Sequence, residues 1–199
     1  MGAQFPLMPL RSVVEGRLRS VTDGEGVSFD PKVERVIQGT RNTLGIGDDA
    51  ILNRTKITMR GRNLQLVIGR NVRFKSGAVS MPGNGSTLVF GDNTTRESGS
   101  TIVGSGESVT IGRDCMFSND IMIRNDDRCG IFDAGTQQRI NAPRPFVIED
   151  HVWIGNGPRV IKGAVLGSGM VLARASVLSG KAEPRAVYAG SRLASSGPT

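Results

Sequence analysis

The sequence predicts an all-β protein, a parallel β-helix of hexapeptide repeats with a short N-terminal cap and one long loop excursion. Three observations predict it. From Ile148 onward every sixth residue is aliphatic: Ile148, Ile154, Val160, Leu166, Leu172 and Leu178. The fifth place of the same hexads is small or apolar: Val152, Pro158, Ala164, Met170, Ser176 and Ala182. Upstream, the blocks Leu66-Val67-Ile68-Gly69, Leu88-Val89-Phe90-Gly91 and Val109-Thr110-Ile111-Gly112 recur at spacings of 22 and 21 residues, and Phe146-Val147-Ile148-Glu149 is a fourth copy after an insertion.

The physical reading is direct. Each hexad is a short strand plus a turn, with its first and fifth residues pointing inward. Three hexads close one coil of about 18 residues, and extra residues at the corners lengthen the upstream coils. Stacked coils pair their strands in parallel and bury aliphatic ladders. A period of six does not hold one face of a 3.6-residue helix. A sandwich would show longer alternating strands joined by hairpin turns. Inside the long period, Ile111, Phe117 and Ile123 lead hexads with Cys115 and Ile121 in the fifth place. Ile68 and Phe74 lead two more, with Val72 and Ala78 expected to point inward.

Taken in order, residues 1–40 lack hexads and read as a cap segment. Within it, residues 11–22 suit a short amphipathic helix with Val13, Val14, Leu18 and Val21 on its apolar face. Such a helix would cover the open edge of the first coil. Residues 41–183 form the β-helix, interrupted by the loop 124–147. Residues 184–199, ending in Ser195-Ser196-Gly197-Pro198, read as a fraying C-terminal tail.

Composition narrows the function classes. The net charge is +7, but the 25 basic residues are scattered, without a run of like charge or interleaved aromatics. That argues against nucleic acid and leaves room for a polyanionic small ligand or an acidic glycan. Two cysteines, Cys115 and Cys129, cannot make a disulfide framework. No apolar run approaches the ~18 residues of a membrane span, and residues 1–10 lack the order of a signal peptide. A cytoplasmic, reduced protein without an integral membrane segment is expected. No His/Cys set, P-loop or dinucleotide fingerprint is present, so no metal is expected.

Chemistry is expected where the hexads stop. The excursion carries Arg124, Asp126, Asp127, Cys129, Asp133, Arg139 and Asn141, and long excursions from a rigid scaffold concentrate function. Together with Cys115-Met116-Phe117-Ser118-Asn119-Asp120-Ile121 before it and Asp150-His151-Val152-Trp153-Ile154-Gly155 after it, this stretch resembles the hexapeptide-repeat O-acetyltransferases. It is most similar to those acting on capsule, exopolysaccharide and O-antigen sugars. The resemblance covers roughly residues 44–193. It implies a left-handed coil, a homotrimer, and acetyl transfer from acetyl-CoA to a sugar hydroxyl in a cleft between subunits.

The family's loop has a Ser-Asp pair, one residue, then a histidine that takes the proton from the attacking hydroxyl. Here that position is Cys129. Three readings stand. The chain is a non-catalytic scaffold that binds a ligand or partner. Alternatively, a Cys129 thiolate, favoured by cations such as Arg124 or Arg128, serves as base or acyl carrier. Or another group is the base, and the sole histidine, His151, sits outward in its hexad. Trp153, 24 residues after Cys129, matches the family's interval and is expected at a corner, shaping the acceptor or thioester pocket. Asp127 and Asp133 orient the base or acceptor, or cap the loop. Arg124, Arg139 and Asn141 hold an acidic acceptor or pair with the carboxylates. The resemblance places the CoA arm along Gly157 and Ala175, with Lys181, Arg185 and Arg192 near its phosphates. Arg174 stands where a small residue is common, and the closing motif Gly190-Ser191-Arg192-Leu193-Ala194 lacks the family's proline.

Overall fold

The computed structural model describes residues 11–127 and 129–193. Residues 1–10, 128 and 194–199, and the side chains of Arg11, Arg192 and Leu193, lie outside the described residues. The chain winds as a left-handed parallel β-helix with three flat faces. Successive strands visit a first, second and third sheet in turn, giving sheets of nine, eight and eight strands paired in parallel throughout. Strands Glu34–Thr40, Thr55–Arg62, Gly77–Asn84, Gly99–Ile102 and Ile121–Arg124 stack in the first sheet.

Burial follows the hexad pattern. Ile148, Ile154, Val160, Leu166, Leu172 and Leu178 all point into the bore, as do their fifth-place partners from Val152 to Ala182. Phe74 and Phe90 meet edge to face inside the coil, with centroids 5.0 Å apart. Corners are turned by residues in the left-handed region, among them Arg41 (φ 58°), Asn63 (φ 55°) and Asp120 (φ 54°). Buried asparagines satisfy corner backbone groups. Asn42 donates to the Gly61 carbonyl and accepts from the Leu64 amide, each at 3.0 Å.

Three expectations need correction. Residues 11–22 are not a helix: Arg11–Glu15 and Ser20–Asp23 are strands paired with Glu34–Thr40 and Thr43–Ile46. The β-branched pairs Val13-Val14 and Val21-Thr22 suit a pleated ladder, and Gly16 at φ 108° breaks the run at a corner. The ladders therefore begin ahead of residue 41, and they continue past 183 into Val187–Tyr188 and Ser191–Leu193. Ala78 does not point inward. Val79 and Met81 do, because the eight-residue strand Gly77–Asn84 absorbs the extra residues of the long coil and resets the phase.

Candidate functional site

The insertion, residues 125–146, leaves the first sheet after Ile121–Arg124 and returns to the second at Val147–Ile148. It therefore projects from the corner between those sheets. Its root is fixed by Asn125, which is fully buried. The Asn125 side chain accepts from the Gly104 amide at 2.7 Å, and its carbonyl accepts from the Arg144 amide at 3.1 Å. The arm beyond is a small antiparallel hairpin, with Phe132 bridged to Arg139 and the Ile140 amide donating to the Ile131 carbonyl at 2.8 Å.

Asn141 is the hub. Its amide donates to the Asp127 carboxylate at 3.0 Å and to the Cys129 carbonyl at 2.8 Å. Its oxygen accepts from the Ile131 amide at 2.7 Å and from Arg139 Nε at 3.2 Å. Arg139 also pairs with Asp126 at 3.0 Å. Lys162 Nζ binds the Asp127 carboxylate and donates to the Asn141 carbonyl at 3.1 Å. The Lys162 ion pair, with the Asn141 bond, holds the Asp127 carboxyl below the usual carboxylate range. Arg124 is committed elsewhere, donating to the Asp126 carbonyl from Nε at 2.7 Å.

Asp133 caps a turn. It accepts from the Thr136 amide at 2.7 Å, the Thr136 hydroxyl at 2.9 Å and the Gly135 amide at 3.1 Å. The Thr136 bonds draw its pKa down. The two thiols are unlike. Cys115 is buried and pushed up to about 11 by desolvation, which removes it as a nucleophile. Cys129 is free and exposed on the insertion.

The remaining candidates lie on other parts of one chain. Trp153 is not at a corner. It opens the two-residue strand Trp153–Ile154 on the outer face of the third sheet, 48% exposed, between Met116 and Val171 in the ladder. Its expected corner location fails because Val152 and Ile154 both point inward, so the residue between them must face out. His151 is at the corner between the second and third sheets, outward as expected, with Nδ1 3.9 Å from Asp114. Gly157 and Ala175 stack at the corner between the third and first sheets. Lys181 projects from the second sheet and pairs with Glu183 at 3.4 Å. Arg185 packs by Gly169 at the His151 corner. A single chain thus gathers Asp127, Cys129, Asn141, Arg139 and Arg124, and leaves Trp153, His151 and the Gly157–Ala175 pair apart from them.

No family model matches the chain. It is 29% identical over 147 residues to a polysialic acid O-acetyltransferase of Neisseria meningitidis, an alignment spanning 63% of this chain and 68% of that one. The crystal structure of the polysialic acid O-acetyltransferase OatWY superposes with a TM-score of 0.81 at 24% identity, covering 89% of this chain and 85% of that one. The polysialic acid-specific acetyltransferase NeuO superposes with a TM-score of 0.76 at 27% identity, covering 92% and 82%.

The chain is thus similar to hexapeptide-repeat O-acetyltransferases in both sequence and fold.

The corner between the third and first sheets is lined by small residues. A Cβ placed on Gly157 would have its nearest neighbours at 3.9 Å, in Ala175. The corner is thus lined by small groups with open space above them. Arg174 is exposed at the same corner. Sequence reasoning missed Lys162. Its signal was available, because Ile161-Lys162-Gly163 is the corner segment of the coil directly after the insertion, where the root carboxylates stack above it.

Proposed function

We propose that this protein transfers an acetyl group from acetyl-CoA to a hydroxyl of a bacterial surface glycan, working as a homotrimer with its site shared between subunits. The observation that carries this reading is the match to NeuO, which extends over 92% of the chain at 27% identity. Two exposed apolar surfaces support the trimer. One is the third-sheet ladder, where Met116, Trp153 and Val187 are exposed around the half-buried Val171. The other is the hairpin tip of Ile131, Phe132 and Ile140. Neither covers the other within one chain, and a neighbouring copy can cover both.

Acetyl-CoA supplies a thioester-activated acyl group when bound. Gly157 and Ala175 leave a shallow track for its arm. The Cys129 thiolate takes the proton from the acceptor hydroxyl as the oxygen attacks, becoming the thiol, and returns it to the departing CoA thiolate. Asn141 fixes the Cys129 backbone by binding its carbonyl. Trp153 of a second copy closes the pocket against water.

Release of CoA thiol with a sialic acid polymer as acceptor tests the reading. The wild type should turn over, Cys129→Ala should lose about 10²-fold or more, and Cys129→His should match or exceed the wild type. Cys129→Ala retaining full rate would remove the thiol from the mechanism. No acetyl-CoA binding by wild type or Cys129→His would leave a non-catalytic glycan-binding scaffold.

A further inference from the structure

Arg159 opens the first-sheet strand Arg159–Val160, two residues past Gly157. Val160 beside it points into the bore, so Arg159 faces outward. Its side chain is nonetheless only 35% exposed, because it folds back onto the corner between the third and first sheets. Nη1 donates to the carbonyls of Asp120 at 2.6 Å, Gly157 at 3.1 Å and Pro158 at 3.2 Å. Nη2 donates to the Asp120 carboxylate at 3.2 Å. Asp120 lies in the coil stacked against that of Gly157, so one guanidinium clasps two successive coils.

The clasped carbonyls are the ones the coil leaves open. Amide bonds tie this corner coil to coil from Gly157 to the Asn119 carbonyl and from Ala175 to the Asn156 carbonyl, each at 2.9 Å. The Pro158 carbonyl accepts from the Met122 amide at 3.1 Å. Among the described residues, the Asp120 and Gly157 carbonyls accept from no backbone amide, and Arg159 is their partner. The three coils turn here through left-handed residues, Asp120 (φ 54°), Gly157 (φ 81°) and Ala175 (φ 56°). Asp120 and Ala175 carry a Cβ, so their conformation is held by what surrounds them. Gly157 carries none, and the peptide plane that follows it can turn unless its carbonyl is tied.

We infer that Arg159 is a positioning residue for the acyl donor, fixing the backbone floor on which the CoA arm lies. The inference rests on the acetyltransfer reading and adds to it a residue that acts through the backbone, not on the reacting atoms. A floor ordered before the donor arrives spares binding the cost of ordering it. The Asp120 carboxylate is 74% exposed, so its ion pair adds little. The bonds to peptide oxygens carry the effect, because a charged donor makes a short, strong hydrogen bond. A lysine ammonium lacks the planar fork and holds fewer of these carbonyls at once.

The experiment is calorimetric titration of CoA into the full-length wild type, Arg159→Ala, Arg159→Lys and Arg70→Gln, with acetyl-CoA kinetics, urea midpoints and amide exchange on the same proteins. Arg159→Ala should weaken CoA about tenfold and raise the KM for acetyl-CoA in parallel, with kcat unchanged at saturation. Arg159→Lys should recover part of the loss. Arg70→Gln breaks an exposed pair with Asp92 at the corner between the second and third sheets, and should leave CoA affinity and KM as they are. Without ligand, the Gly157 and Met122 amides of Arg159→Ala should exchange faster, while the Gly91 amide, bonded to the Ile111 carbonyl, stays protected. Unchanged CoA affinity in Arg159→Ala would overturn the inference whatever the urea midpoint does, and would leave Arg159 a purely structural clasp. A fall in kcat with KM unchanged would overturn it as well. Those results need a wild type that binds CoA. A wild type that binds none overturns the acetyltransfer reading, and the inference with it.

Discussion

At the scale of single residues, the insertion is held by a few polar contacts whose charges can be titrated. Asp127 is the sharpest case. Its carboxyl is held below the usual range, chiefly by the bond from Lys162 and then by Asn141. A depressed carboxylate contributes order that is present above the unfolded-chain pKa, near ~3.9, and is lost as pH falls through the lower folded value. The carboxylate is partly exposed, so solvent screening keeps the effect on global stability small. The insertion should feel it more than the coil does. Amide exchange of residues 125–146 should quicken as pH drops below about 4 while the first-sheet ladders stay protected. Lys162→Met should raise exchange at neutral pH and flatten that dependence. An insertion whose protection is the same in Lys162→Met and wild type would show that the ion pair does not order it.

At the scale of the coil, Arg96 breaks the aliphatic rule of its ladder. Arg96 occupies the inward place between Phe74 and Phe117. It is 3% exposed, and none of its three guanidinium nitrogens has a partner among the described residues. Burial pulls its pKa down to about 10, which leaves it charged at neutral pH. Its guanidinium lies 4.1 Å from the Phe74 ring centroid. A desolvated cation–π contact contributes about 2 kcal/mol, less than the several kcal/mol that burying an unpaired charge costs. Arg96→Met should therefore stabilise the protein, by about 1–4 kcal/mol, seen as a higher urea midpoint with an unchanged slope. Destabilisation would mean that the ring stack outweighs desolvation. Arg96 also shows what the sequence could and could not tell. The ladder from Ile148 to Leu178 was legible because every inward place is filled by an apolar or small side chain. The upstream coils were legible only through their 21–22-residue repeat. Their extra residues shift phase within a turn, which misplaced Ala78, and the N-terminal strands carry no hexad at all. Cys129, Asp127 and Asn141 could be singled out because they interrupt the repeat. Lys162 obeys the repeat, and only the stacking of one corner over the next reveals it.

At the scale of the whole molecule, the distribution of candidates over three corners and a sheet face bears on assembly. Cys129 projects on the arm from one corner, and Trp153 stands on the face of the third sheet. No movement of a rigid coil brings them together in one chain. A threefold assembly that lays the arm of one copy against the third sheet of the next would do so, and would cover Phe132 and Trp153, each exposed by about half. Large aromatic side chains dominate such interfaces. Sedimentation of the wild type should give a trimer, and Phe132→Glu should give a monomer with an unchanged β-sheet spectrum. The sharper test is mixing. Co-expressed Cys129→Ala and Trp153→Leu chains, each inactive alone, should regain activity in mixed trimers, because some clefts then receive an intact Cys129 from one copy and an intact Trp153 from its neighbour. If the two residues act within one chain, every cleft in the mixture carries a defect, and activity stays at the level of the single variants.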